Sequence, residues 1–332
     1  MPDLSVAVVA PGLRMPVVGY GGIERAAWDL AVELERRGHP TTVFGNVESG
    51  PGERGSAPGR VRILTEQDSL THLPELASYS VVHDWSHLKP LRVGRLPRYV
   101  CTAMWTDVNA PGRTAYPSKA VRDAFKDPGG RLVPLGLPRP ESRAEPADPP
   151  TYVVAGRIAS YKGVDLALRI AERHLPEGSR LVVTGYSGPL CGPGEDYYAL
   201  KVRRDCGRRG WAYVPNPSSL SEAIRGASGV LHVHRWLESF SLVVAEALMN
   251  GVPVLTTDVG APQELVRETD GGFVVPLGPV ERGDVSDPLI AKFFEQDWAA
   301  RRAGIRKRAC DQFSVDREAA RYEKIYAAMG AG

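Results

Sequence analysis

Short apolar runs alternate with amphipathic stretches along the whole chain, and the alternation occurs twice. In the first half, runs rich in Val, Ile and Leu fall at 4–10, 41–44, 61–64, 80–83, 98–102 and 131–134. In the second half they fall at 151–155, 180–184, 211–214, 229–233, 253–256 and 272–275. Several are continuous rather than alternating, which is the pattern of parallel strands buried on both faces. Helical patterning lies between them. Residues 24–37 place Ala27, Leu30, Ala31 and Leu34 at i, i+3, i+4 and i+7, and Gly38 ends the stretch. Strand, helix, strand, repeated, predicts an α/β protein with two doubly wound parallel-sheet domains.

The boundary between them is legible. Residues 138–150 hold five prolines and no hydrophobic period, so they read as a semi-rigid linker. An N-terminal domain over 1–140 and a second over 150–313 are expected. Residues 314–330 read as one further helix, with Ser314 as N-cap and Asp316 and Glu318 in its first turn. That helix belongs to the second domain or packs back on the first.

Length agrees with this division, since 332 residues make roughly two domains of ~150. The chain is 43% hydrophobic and 24% charged, which excludes disordered and fibrous classes. No apolar run approaches the ~20 residues of a membrane span, and the first follows Asp3 and is too short for a signal peptide. A cytoplasmic enzyme is expected. Forty-one basic against 39 acidic residues is too even for an electrostatic nucleic-acid binder. Cys101, Cys191, Cys206 and Cys310 form no CxxC pair, which argues against zinc. A Cys191–Cys206 disulfide is the alternative to reduced thiols.

In open α/β sheets ligands bind beyond the carboxyl ends of the strands, so the loops there carry the candidate chemistry. After the run 229–233, Glu238 is followed by Phe240, Ser241, Leu242 and Glu246. Ser241 can cap the helix that begins there, and the amides of Phe240, Ser241 and Leu242 form an anion or hydroxyl cradle at its start. Glu246 lies on a helix so apolar that its carboxylate needs either a surface position or a specific partner. After the run 151–155 come Arg157 and Lys162, five apart beside Gly163. Together they can hold one diphosphate, Arg as a fork and Lys as a point charge. Gly21 and Gly22 open the helix of Glu24 too far from the first strand for a dinucleotide turn, but they permit close backbone approach to a phosphate.

These segments resemble the GT4 family of retaining glycosyltransferases in order and spacing. The E-x7-E from Glu238 to Glu246 runs into A-L-M-N-G-V-P-V. Gly156-Arg157 to Lys162-Gly163 resembles the family's G-R-x(n)-K-G, and Gly21-Gly22-Ile23-Glu24 its G-G-x-E. Asp258 to Glu264 matches the segment after the E-x7-E helix. The resemblance implies a GT-B architecture of two Rossmann-like domains facing across a cleft. It also implies transfer of a hexosyl group, with retention, from a nucleotide-diphosphate sugar to an acceptor hydroxyl. By resemblance Glu246 would hold the nucleotide ribose and Glu238 the donor sugar, with Glu238 in the catalytic centre. The acceptor would be a sugar or a lipid-linked molecule.

One position departs from the pattern. Where many members carry a histidine after a first-domain strand, this chain has Trp105, which cannot accept a proton. Either Asp107 takes the catalytic role or it moves to His83, Asp84 or His87, each of which otherwise reads as a solvent or capping residue. Trp105 offers an apolar face for a sugar ring or lipid. No metal or other cofactor is expected, because no D-x-D occurs and the adjacent acids Glu195-Asp196 read as an exposed loop. Arginines 203, 204, 208 and 209 and the run 301–308 read as solvated helix faces, or as a peripheral contact with anionic lipid. Two other readings stand beside the transferase: a decayed nucleotide-sugar-binding protein, and a GT-B-fold epimerase or phosphorylase.

Overall fold

A computed structural model describes residues 4–15, 21–47, 58–63, 71–85, 96, 98–104, 113–141 and 145–330. The chain divides into unit 1, Met1–Pro138 with Gln312–Gly332, and unit 2, Arg139–Asp311.

Unit 1 begins with β1 (Val6–Met15), α1 (Gly22–Arg36), β2 (Thr41–Val47), β3 (Gly59–Arg62) and α2 (Leu73–Leu76). It continues through β4 (Val81–Asp84), β5 (Tyr99–Thr102), β6 (Thr114–Tyr116), α3 (Lys119–Ala124) and β7 (Arg131–Leu132). Among the described residues its seven strands are parallel, in the order β3-β2-β1-β4-β5-β6-β7. Val6, Val8 and Val9 of β1 are fully buried, as are Leu30 and Leu34 of α1, so the apolar run and the helical stripe meet as their periods require.

Unit 2 holds β8 (Thr151–Ala155), α4 (Val164–His174), β9 (Arg180–Gly185), α5 (Glu195–Arg208), β10 (Ala212–Pro215) and α6 (Leu220–Arg225). There follow β11 (Gly229–His232), α7 (Leu242–Met249), β12 (Val254–Thr257), α8 (Pro262–Thr269), β13 (Gly272–Val275), α9 (Leu277–Glu281), α10 (Pro288–Glu295) and α11 (Arg302–Phe313), the last running on into unit 1. Its parallel sheet runs β10-β9-β8-β11-β12-β13. The chain leaves β8 toward one edge and returns to β11 on the other side of it. The point between β8 and β11 is therefore where the order reverses, the place at which such sheets bind ligands.

The last helix, α12 (Val315–Gly330), belongs to unit 1. Arg37 holds Glu323 through two bonds of 2.7 Å, and His39 meets the same carboxylate at 3.1 Å. Ser314 does not cap α12 with its side chain, because its buried hydroxyl has no partner among the described residues. Glu318 instead accepts the Gly136 amide at 2.8 Å.

Three sequence expectations need correction. His83 and Asp84 are not solvent residues: both are fully buried in β4. His83 meets Tyr326 and Thr102 at 2.7 Å, Thr102 meets Tyr322 at 2.6 Å, and Tyr99 donates to Asp84 at 2.6 Å. Glu195 and Asp196 are not in a loop but open α5, and Glu195 accepts from the Ser160 amide and hydroxyl at 2.7 and 2.6 Å. The basic run 301–308 is a solvated face only in part: Lys307 is exposed, while Arg302 is buried. Arg302 donates to Ala227 O, Arg306 to Met249 O and Pro140 O, and Arg308 to Thr269 O. Arg306 and Arg308 thus meet the last carbonyls of α7 and α8, where positive charge is favoured.

All four cysteines are buried, and none is joined to another by a disulfide. Among the described residues no helix is long and apolar enough to cross a membrane.

Candidate functional site

Two loops flank the reversal point of the unit 2 sheet. The first leaves β8 through Gly156, carries Arg157, tightens into a 3-10 turn at Ser160–Lys162 and enters α4 at Gly163. Gly163 has φ of 64°, and a Cβ there would overlap the carbonyl oxygen of Val233. Only glycine allows this turn to lie against the second loop. The Arg157 guanidinium sits 5.5 Å from the Tyr161 ring centroid, a cation over an aromatic face.

The second loop leaves β11 and runs from Val233 to Ser241. Ser241 has φ of 80°, a left-handed conformation uncommon outside glycine, and its hydroxyl accepts from the Val244 amide at 3.4 Å. That cap starts α7. Gly260, with φ of 63°, packs on the backbone of Glu238, where a Cβ would lie 2.6 Å from the amide nitrogen. Ala261 N donates to Glu238 O at 2.9 Å, so the loop is held from beneath.

The side chains converge. Lys162 Nζ lies 2.8 Å from Glu238 Oε1, and His232 Nε2 lies 3.2 Å from Oε2. Burial works to raise the Glu238 carboxyl, but Lys162 and His232 outweigh it and hold the group well below the usual carboxylate range. Glu238 is therefore ionised at neutral pH. His234 goes the other way: burial, followed by the neighbouring His232, pushes it down to about 4. Its Nε2–H donates to Val259 O at 2.8 Å.

Glu246, 8% exposed, meets the second of the two needs stated for it, since Ser221 Oγ on α6 donates to its carboxylate. The Phe240 side chain is core, which leaves only its backbone for a ligand. Gly21, Gly22 and Glu24 lie in unit 1, at the start of α1. Gly21 has φ of 146°, and the Glu24 carboxylate lies against Gly12 of β1. Trp105, Asp107 and His87 lie outside the described residues.

Sequence reasoning missed His232, His234 and Arg235. The signal was present: three polar, chemistry-bearing residues at 232, 234 and 235 interrupt an apolar run at the carboxyl end of a strand. Arg235 donates to Ser160 O at 2.7 Å and grips both oxygens of Asp165 at 2.8 Å.

Residues 139–282 match the family of glycosyl transferases group 1. A D-inositol 3-phosphate glycosyltransferase of Xylanimonas cellulosilytica is 33% identical over 186 residues, 55% of this chain and 43% of the relative. One so named in Mycobacterium sp. is 29% identical over 266 residues, 77% of this chain and 52% of the relative. The chain thus spans about half the length of the curated relatives it matches. Among solved structures, AviGT4, a glycosyltransferase involved in avilamycin A biosynthesis, superposes with a TM-score of 0.77 at 23% identity, covering 99% of this chain and 98% of that one. Anabaena Alr3699/HepE, solved in complex with UDP and glucose, gives 0.72 at 17% identity, covering 98% and 100%. These likenesses extend over both units and agree with the two parallel sheets in assigning the GT-B fold. The family match falls within the unit that holds the Lys162–Glu238 cluster, so it is this unit whose sequence is similar to the group 1 glycosyltransferases.

Proposed function

We propose that this protein transfers a hexosyl group from a nucleoside-diphosphate sugar to an acceptor hydroxyl, with retention at the anomeric carbon. The observation that carries the reading is the convergence of Lys162 and Glu238, from two different loops, at the reversal point of a parallel sheet. A leaving diphosphate gathers negative charge as the sugar–oxygen bond breaks. Arg157 and Lys162 supply fixed cations on one loop, and the start of α7 supplies amides oriented toward negative charge. Glu238 and Glu246 are acceptor-only groups suited to hydroxyls, Glu238 for the sugar and Glu246 for the ribose. No metal takes part in this scheme.

HepE, solved with UDP, makes uridine donors the first to try, and the relatives' name makes D-inositol 3-phosphate the first acceptor. A thermal-shift panel of UDP, GDP, ADP and dTDP with their glucose conjugates tests the donor half, because a ligand that binds only the folded state raises the melting point. One nucleotide raising it, together with slow hydrolysis of its sugar conjugate, is the expected result. No shift with any of them removes the reading.

A further inference from the structure

Arg235 carries the densest set of contacts in this region, yet none of its charge is left over for a ligand. Its guanidinium grips Asp165 through two bonds of 2.8 Å, donates to Ser160 O at 2.7 Å and reaches Glu281 at 3.2 Å. Its own amide donates to Tyr161 O at 2.9 Å. Asp165 is fixed in turn, accepting from the Tyr198 hydroxyl at 2.6 Å, while its amide donates to that same oxygen at 2.9 Å. Two carboxylates against one guanidinium leave the cluster with no spare cation.

What the contacts share is their target. Ser160 and Tyr161 form the 3-10 turn whose last residue is Lys162, and Asp165 lies in the first turn of the following helix. Arg235 itself stands three residues before Glu238. A single side chain therefore ties the loop after β8 to the loop after β11. Glu195 holds Ser160 from the opposite side. Since the 3-10 turn is one short hydrogen-bonded unit, losing either hold frees Lys162 to move.

We infer that Arg235 is a positioning residue that sets where Lys162 stands, and that its effect on ligand binding passes through Lys162. This rests on the reading of Lys162 as a diphosphate ligand. Lysine cannot replace it: an ammonium lacks the planar fork that reaches Asp165 and Ser160 together.

A double-mutant cycle on nucleotide binding tests the idea. UDP is the probe, with GDP and ADP in parallel, and calorimetry measures Kd for wild type, Arg235→Lys, Arg235→Met, Lys162→Met and the double variant Arg235→Met with Lys162→Met. Lys162→Met alone should weaken binding about tenfold, the loss expected of one charge-assisted contact. Arg235→Lys and Arg235→Met should each weaken it to a similar extent. In the Arg235→Met background, Lys162→Met should then add less than about twofold, because the ammonium is already misplaced. Effects that multiply in full would show that Arg235 acts independently of Lys162 and would overturn the inference, as would wild-type binding in both Arg235 variants. Wild-type nucleotide binding by Lys162→Met would instead remove the reading of Lys162 itself, and this inference with it. Arg235→Lys keeps the charge and most of the stem, so an unfolded Arg235→Met still leaves a variant to measure.

Discussion

Lys162 Nζ and Glu238 Oε1 stand 2.8 Å apart, with side chains 18% and 17% exposed. The two residues assigned to opposite parts of the donor, its diphosphate and its sugar, are each other's counter-ion. A bound diphosphate must therefore draw Lys162 away from Glu238 or share it.

This pair changes what Glu238→Gln should do. Removing the charge frees Lys162 for the phosphates, so free UDP should bind as well as to wild type or several-fold tighter, while transfer is lost. Lys162→Ala and Arg157→Ala should go the other way, lowering transfer efficiency about 10- to 150-fold for the ~1.5–3 kcal/mol of a charge-assisted bond. Calorimetry beside turnover separates them. If Glu238→Gln weakens free UDP as much as Lys162→Ala does, the two roles are wrongly assigned.

Glu246 makes a contrasting case. Ser221 already donates to it, which orients the carboxylate on an otherwise apolar helix. If its task is the ribose, Glu246→Gln should weaken free UDP and UDP-sugar alike, by about tenfold for one hydrogen bond to a charged group. Ser221→Ala should have the same pattern with a smaller size. Normal UDP affinity in Glu246→Gln would place the ribose elsewhere.

Unit 1 offers a pH prediction. His83 is fully buried between Tyr326 and Thr102, and burial pushes it down to about 3 from its ordinary 6.5. The unfolded chain binds a proton at this residue below about 6.5, and the folded chain does not until about 3. Its contribution is therefore complete above pH 6.5 and is lost as pH falls toward 3, by about 1.4 kcal/mol per unit. His83→Phe removes this dependence and takes away the His83 bond of the buried Tyr326 hydroxyl, at ~1–3 kcal/mol, while Thr102 keeps Tyr322. Urea unfolding at pH 7.5, 6 and 5 should show the wild type losing more stability on acidification than the variant. Parallel losses would place the titration on another group, such as His234, which burial also lowers.

The contrast between what the sequence displays and what it hides has a physical origin. Strands such as 151–155 and 229–233 are visible because burial on both faces demands a continuous apolar run. The Arg157–Lys162 and Glu238–Glu246 segments are visible because each is local, a few residues on one loop. Arg235 is not, since its partners Ser160 and Asp165 lie 70 or more positions away and a lone arginine after a strand looks like surface charge. The run 301–308 misleads for a related reason. Arg302, Arg306 and Arg308 answer backbone carbonyl oxygens on other elements, and backbone carbonyls leave no mark in a sequence.

The last prediction concerns metal. A departing diphosphate needs its growing charge met either by a divalent ion held on carboxylates or by fixed cations and amides. Mg²⁺ in such sites uses one or two carboxylates together with phosphate oxygens. Three carboxylates around the Lys162 turn are already engaged. Glu238 is held by Lys162 and His232, Asp165 by Arg235 and Tyr198, and Glu195 by the Ser160 amide and hydroxyl. Recruiting any of them to an ion would break contacts that shape the Lys162 turn. Arg157 and Lys162 stand on that turn and its approach, and can balance a diphosphate without dehydrating an ion. Transfer should accordingly continue within about twofold in excess EDTA, as general metal-free charge neutralisation requires. Activity that vanishes on chelation and returns with Mg²⁺ or Mn²⁺ would mean that one of these carboxylates changes partners when the donor binds, and the Lys162–Glu238 pair would be the first place to look.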